Sequence, residues 1–242
     1  MSATLSVHPD ALHAATACAT RIFALLEEAT ASVKPATLAI SGGSTPKLMF
    51  EVMAQRRFAW DKVHLFWVDE RAVPPDDPQS NYKLAYETLI APARIPAGNV
   101  HRVRAELPPE EGARHYAADI RSHFGIEGDV LPHFDVVHQG LGPDCHTASL
   151  FPGEPLIENR DGIAAAVYVE KMRQSRITLL PGVLLAARAT LILAAGSDKT
   201  AAAETVLQGP YDPSRYPAQV ISRGDHPTEW FLDEAAAGRL RR

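Results

Sequence analysis

Four short stretches of the chain combine chemically capable residues with a place directly after an apolar run. The first covers residues 134–153, FDVVHQGLGPDCHTASLFPG. Phe134, Val136 and Val137 read as the end of a buried strand, and Gly140 and Gly142 as a turn open to positive φ. His146 then starts a helical piece over Thr147, Ala148, Ser149 and Leu150. An imidazole beyond a strand's carboxyl end sits where open α/β sheets bind ligands, and its proton affinity suits work near neutral pH. Taken alone, it reads as readily as a capping or loop histidine.

The second stretch is Ser41, Gly42, Gly43, Ser44, Thr45 and Pro46, between a strand at residues 36–40 and a new helix. Its two glycines let backbone N–H groups approach an anion, Pro46 suits a first helical turn, and Ser44 or Thr45 can cap the helix while adding a hydroxyl donor. A phosphate fits there, although the P-loop pattern is absent and a tight, well-capped turn is the plain alternative. Third, Asp69, Glu70 and Arg71 follow a strand at residues 63–68 and lead into a proline-stiffened polar loop, then through Ser80, Asn81 and Tyr82 into a helix at residues 83–89. An arginine can fork onto a phosphate or polarise a carbonyl, and an aspartate can orient a histidine; a surface salt-bridge loop is the alternative. Fourth, the apolar residues 189–195 end in Gly196, Ser197, Asp198 and Lys199. Lys199 falls in the first turn of a helix at residues 200–207, where a cation opposes the helix dipole unless an anion shares the site.

The elements that must carry these stretches follow from periodicity. An amphipathic helix runs from Asp10 to about Ser32, another spans residues 110–123, and further strands lie at residues 164–169, 176–180 and 228–232. Strands each followed by a helix imply a doubly wound, mostly parallel, Rossmann-like α/β sheet with helices on both faces, in a single domain over residues 1–242. The proline-rich residues 90–132 have room for a small lobe or lid and carry no chemistry. A net charge of −5 and a pI near 6.1, without blocks of like charge, give no footprint for nucleic acid or an anionic membrane. Cys18 and Cys145 form no paired spacing, no secretion signal opens the chain, and no apolar run approaches the roughly 18 residues of a membrane span, so a soluble cytoplasmic protein is expected.

Taken together, these stretches resemble the 6-phosphogluconolactonase family. Residues 140–152 are similar to its G-x-G-x-D-G-H-T-A-S-L-F-P signature, residues 41–46 to its S-G-G-S-T-P loop, and residues 69–74 with Ser80, Asn81 and Tyr82 to its D-E-R-x-V-P and S-N-Y blocks. Arg176 opens an R-I-T-L run that is followed by G-x-x-K ending at Lys199, and the likeness extends to residues 228–232. The resemblance implies hydrolysis of 6-phospho-D-glucono-1,5-lactone in the oxidative pentose phosphate pathway by a monomer or weak homo-oligomer without cofactor or metal. His146 would be the general base, Asp69 would orient it or stabilise its charged form, and Arg71 and Lys199 would complete the active site. Ser41, Gly42, Gly43, Ser44, Thr45, Arg71, Asn81, Arg176 and Lys199 would hold the phosphate.

Other chemistries fit less well. His133, His138 and His146 with Asp135 and Asp144 contain no H-x-x-x-H pair, and a strained ester carbonyl is already electrophilic, so no metal is called for. The nucleophile elbow G-x-S-x-G and the third glycine of a dinucleotide loop are both missing. Two departures from the family stand out: Cys145 replaces a glycine, and His138 with Gln139 replace apolar residues. If position 145 requires positive φ, a cysteine there costs about 1–2 kcal/mol and can shift His146. That leaves two alternatives, a catalytically impaired sugar-phosphate binding protein and an amino-sugar phosphate deaminase-isomerase on the same fold. Arg71 and residues 147–152 argue against the second.

Overall fold

Apolar runs of five or six residues, too short for helices and flanked by turn formers, become central strands. The computed structural model describes residues 3–31, 34–223 and 227–241. In chain order its strands are β1 (Thr4–His8), β2 (Ala36–Ile40), β3 (Val63–Trp67), β4 (Asp69–Arg71), β5 (Val136–Gly140), β6 (Ala164–Val169), β7 (Gln174–Leu179), β8 (Ala189–Ala194) and β9 (Thr228–Asp233). The helices are α1 (Ala11–Thr30), α2 (Ser44–Gln55), α3 (Asn81–Ala85), α4 (Ala91–Ala93), α5 (Pro109–Phe124), α6 (Pro181–Leu185), α7 (Thr200–Gln208) and α8 (Ala218–Ser222).

Six strands form one parallel sheet in the order β1-β9-β8-β5-β2-β3. Every residue of β2 and β8 is buried, as a sheet covered on both faces requires. Helix α1 is capped by the Asp10 carboxylate, which accepts the His13 N–H at 2.9 Å. It lays Ala15, Cys18, Ala19, Ile22 and Leu26 against one sheet face. Ile192, Ala194, Trp230 and Leu232 pack on the other face with Ala202, Val206 and Ala218 of α7 and α8. The expected end of α1 at Ser32 lies outside the described residues. Among the described residues no helix is long and apolar enough to cross a membrane.

The sequence does not announce the second sheet. Residues 69–71, expected as a polar loop, form β4 of a small antiparallel sheet in the order β4-β7-β6. Val68 is the joint between the sheets: its N–H donates to Ile40 O at 2.9 Å, and its carbonyl accepts the Leu179 N–H at 2.8 Å. The Tyr116 hydroxyl braces the same corner, accepting the Trp67 N–H at 2.8 Å and donating to Trp67 O at 2.7 Å. Helix α5 packs on β6 and β7. Of the proline-rich residues 90–132, α5 covers the small sheet while the stretch before it packs on α2 and β3, and none of them lines the cleft described next.

Candidate active site

From β2 the chain steps outward to β3, and from β5 it continues through β8 and β9 in the opposite direction. The switch of direction lies between β2 and β5, and a crevice opens at the carboxyl ends of these two strands, as the doubly wound topology demands. The cleft, about 190 Å³, is lined by Ser41, Gly42, Gly43, Ser44, Thr45, Asp69, Arg71, Asn81, His146, Arg176 and Lys199. Every candidate residue of the sequence is thus brought to one place, together with Gly140, Leu141, Gly142, Pro143, Thr147 and Ala148.

His146 stands in a turn, not at the start of a helix. Residues 147–150 form a bridged turn in which Ala148 has φ 50°, and the left-handed backbone expected at Gly140 and Gly142 occurs at Cys145, with φ 67°. Gly142 has a different purpose: a Cβ there would lie 2.0 Å from His146 Nδ1. With the glycine in place, Gly142 N–H donates to His146 O at 2.8 Å and His146 Nδ1 reaches Asp144 Oδ1 at 2.5 Å. A carboxylate only accepts, so Nδ1 carries the proton and Nε2 is the basic nitrogen. Lys171 Nζ donates to the other Asp144 oxygen at 3.0 Å. Burial acts to raise the Asp144 pKa, but the hydrogen bonds from His146 and Lys171 outweigh it and hold the carboxyl far below the usual aspartate range. The ring of His146 stacks on Phe151, with centroids 4.1 Å apart, and the Arg176 guanidinium lies 5.5 Å from the Phe151 centroid.

Asp69, expected to orient His146, is committed elsewhere. Its Oδ2 accepts the Ser149 hydroxyl at 2.6 Å and lies 3.7 Å from Arg176 NH1. The carboxylate partner of the imidazole is Asp144, which the sequence reading considered only as a metal ligand.

The opposite wall is suited to an anion. Gly43, with φ 125°, occupies the N-cap of α2 in a conformation that L side chains rarely adopt. Neither Ser44 nor Thr45 caps the helix, contrary to expectation, so the first-turn amides face the cleft without a side-chain acceptor. Gly42 leaves room for Asn81, whose Oδ1 would lie 1.8 Å from a Cβ at that position. Asn81 Nδ2 donates to Asp69 O at 2.9 Å, while Oδ1 accepts from Arg71 NH1.

Arg71 and Arg176 face each other across the β4–β7 pair. Like charges directly opposite are unfavourable in a sheet, and the Arg176 side chain is only 8% exposed with its Nε lacking a protein partner. Burial pulls the Arg176 pKa down, with Asp69 opposing the fall and Arg71 adding to it. Such a pair is relieved by an anion between the two groups. Lys199 closes a 3-10 turn at the start of α7 and is paired with Asp198 at 2.9 Å.

Glu70 supports this wall from behind. Its buried carboxylate accepts the N–H groups of Arg71, Asn81 and Tyr82 at 2.7–2.8 Å and the Ser80 hydroxyl at 3.1 Å. Burial pushes its pKa above the usual glutamate value, against the pull of those N–H groups. Glu70→Gln turns one acceptor oxygen into a donor facing N–H groups. We expect it to cost on the order of 2–3 kcal/mol in urea unfolding and to weaken substrate binding by displacing Asn81. Parent-like unfolding would refute this role.

The model of the glucosamine-6-phosphate isomerase/6-phosphogluconolactonase family matches residues 9–230. The chain belongs to this family. A 6-phosphogluconolactonase of Synechocystis sp. is 36% identical over 207 residues, covering 85% of each chain. One of Nostoc sp. is 34% identical over 242 residues, covering 99% of each. Among solved structures, a 6-phosphogluconolactonase from Trypanosoma brucei superposes with a TM-score of 0.89 at 26% identity, covering 99% of each chain.

Within this family framework, the two sequence departures have definite places. Cys145 occupies a left-handed position, where a glycine would be unstrained. Its side chain is buried with Leu141, Ile192 and Ala202, and burial followed by the charge of Asp144 pushes the thiol up to about 11, which keeps it protonated. His138 and Gln139 tie the motif loops to β5: His138 Nδ1 accepts the Ser41 N–H at 3.5 Å, and Gln139 Oε1 accepts the Thr147 hydroxyl at 2.7 Å. Burial lowers the His138 pKa to about 3, so this ring stays neutral. Cys145→Gly removes backbone strain of about 1–2 kcal/mol and gives up the apolar packing of the thiol. We expect kcat equal to or above that of the parent, measured by lactone hydrolysis; a large loss would assign the thiol a role of its own.

Asp144, Phe151, Ser149 and Lys171 are the site residues that sequence reasoning missed. For the first, the signal was present in the D-x-H spacing of Asp144 and His146.

Proposed function

We propose that this chain hydrolyses 6-phospho-D-glucono-1,5-lactone to 6-phospho-D-gluconate. The observation that carries the proposal is one cleft holding both a His146–Asp144 pair and three cationic side chains, Arg71, Arg176 and Lys199. The phosphate dianion sits against Arg71, Arg176 and Lys199 and the amides at the start of α2. It thereby holds the lactone carbonyl within reach of His146, so that positioning costs no further entropy in the reactive step. The names of the curated relatives support the lactone as the substrate.

In the reaction, neutral His146 accepts a proton at Nε2 from a water molecule as the water oxygen bonds to the lactone carbon. Asp144, ionised and anchored by Lys171, stabilises the resulting imidazolium. Cleft donors meet the charge on the carbonyl oxygen. Collapse of the tetrahedral intermediate breaks the bond to the ring oxygen, which takes the proton back from His146 Nε2. The products are the open acid and a base ready for the next cycle.

Cys145 is the feature that favours a binding-only reading, because its strained backbone adjoins the base. The His146–Asp144 contact at 2.5 Å supports a working catalyst instead. The test is hydrolysis of freshly prepared 6-phosphogluconolactone by the purified chain, followed against the spontaneous background. Turnover well above background is expected; a rate equal to background with intact ligand binding would leave the binding-only reading in its place.

A further inference from the structure

On the small-sheet side of the molecule, three histidines from separate elements meet. His64 is the second residue of β3, His101 follows the 3-10 turn Ala97–Asn99, and His123 lies in the last turn of α5. One nitrogen from each ring lies within 4.8 Å of the others. Their placement is well braced. The His101 N–H donates to Leu65 O at 2.8 Å, and the His101 ring stacks on Phe66 with centroids 4.2 Å apart. Asp119 Oδ2 accepts from His101 Nδ1 at 2.9 Å, which fixes the proton on Nδ1 and leaves the Nε2 lone pair aimed at His64 Nδ1, 2.8 Å away. His123 is one helical turn beyond Asp119, on the same face of α5.

A hydrogen-bonded chain runs from His64 through His101 to Asp119, and the third ring, His123, packs on the first two with centroids 4.3 Å from His64 and 4.9 Å from His101. Among the described residues the His123 side chain makes no hydrogen bond.

We propose that His64, His101 and His123 bind one divalent transition-metal ion of the zinc class, with Asp119 orienting His101 from behind. Three imidazole nitrogens around such an ion stand about 3.3 Å apart for bonds of about 2.0–2.1 Å, so the His64–His101 pair, 2.8 Å apart, must open and His123, within 4.8 Å of them, must close in. The carboxylate–imidazole–metal arrangement is the one that fixes tautomer and ring direction in histidine metal sites. A cavity lined by His101, Asp119, Arg102 and Arg104 opens beside the His101 ring, and the charge of Arg102 is paired with Glu106 at 2.8 Å. The ion would exchange with the proton shared by His64 Nδ1 and His101 Nε2, as His64 moves its proton to Nε2.

The test is calorimetric titration of the chelator-stripped full chain with Zn²⁺, beside Asp119→Asn, the double variant His101→Gln/His123→Gln, and His146→Gln. One ion per chain is expected in the parent and in His146→Gln. Asp119→Asn should bind about 10- to 100-fold more weakly, and the double variant should lose the stoichiometric site. Substoichiometric binding, equal affinity in the double variant, or loss of the ion in His146→Gln would overturn the proposal. Should the double variant not fold, nitrogen NMR of the parent decides: Zn²⁺ must shift the ring nitrogens of His64, His101 and His123, and shifts confined to other histidines refute the site.

Discussion

His146→Ala is expected to lower the turnover of 6-phosphogluconolactone by about a hundred- to ten-thousand-fold, the usual worth of a positioned acid-base group. The change should leave KM nearly unaltered, because the phosphate contacts proposed at Arg71, Arg176 and Lys199 do not involve the imidazole. Asp144→Asn should give a smaller loss in kcat, since an amide oxygen can still accept from Nδ1 but carries no charge to stabilise the imidazolium. Asp69→Asn serves as the contrasting variant: its carboxylate binds Ser149 and Arg176, so it should raise KM more than it lowers kcat. A kcat effect at Asp69 equal to that at Asp144 would mean that the two carboxylates share the work. The linkage of Asp144 has a definite sign. Its folded-state pKa is depressed, so the stability it contributes is present above its ordinary value of 3.8 and is lost as pH falls below it. The stability gap between the parent and Asp144→Asn should therefore be largest near neutrality and close in acid, measured by denaturant unfolding at several pH values.

Gly142→Ala should be nearly as damaging, for a steric reason alone. Gly142 is not in the left-handed region, so alanine suits its backbone. The added methyl, however, would sit 2.0 Å from His146 Nδ1 and 2.2 Å from Cε1, inside the ring's own volume. The imidazole must move, and its 2.5 Å hydrogen bond to Asp144 breaks as it does so. Misplacement of a reacting group by about 1 Å costs on the order of a hundredfold, which is the loss in kcat expected here, with a circular dichroism spectrum like the parent's. A kcat close to the parent's would show that the ring can be displaced without leaving its working position, and would weaken the assignment of Asp144 as its partner.

Much of this site is legible in the chain itself, because its determinants are local. Strands β2, β3 and β8 are mostly apolar runs and β5 opens on one, each ending at glycine, a hydroxyl or charge, and in a parallel sheet their carboxyl ends share one edge. Any chemistry placed directly after them converges. That is why residues 41–45, Asp69, Arg71, His146 and Lys199 group together on sequence alone. Arg176 is different: it lies within β7 and reaches the cleft only because β7 pairs with β4, so the family motif located it and periodicity could not.

What tertiary structure alone decided is which groups touch. In one dimension the family pattern points to Asp69 as the partner of His146, and the D-x-H spacing of Asp144 does not by itself displace it. The chain crosses at Val68 from the large sheet to the small one, which turns Asp69 towards Ser149 and Arg176, while the left-handed Cys145 folds Asp144 back onto the imidazole. The edge strand β1 escaped notice because its residues are mostly exposed and its partner β9 lies at the far end of the chain. The Arg71–Arg176 opposition and the meeting of His64, His101 and His123 are likewise products of register and packing. Local propensity sets where strands and turns begin, but pairing between distant segments is chosen by burial of the whole core, and that choice is not written in any single stretch.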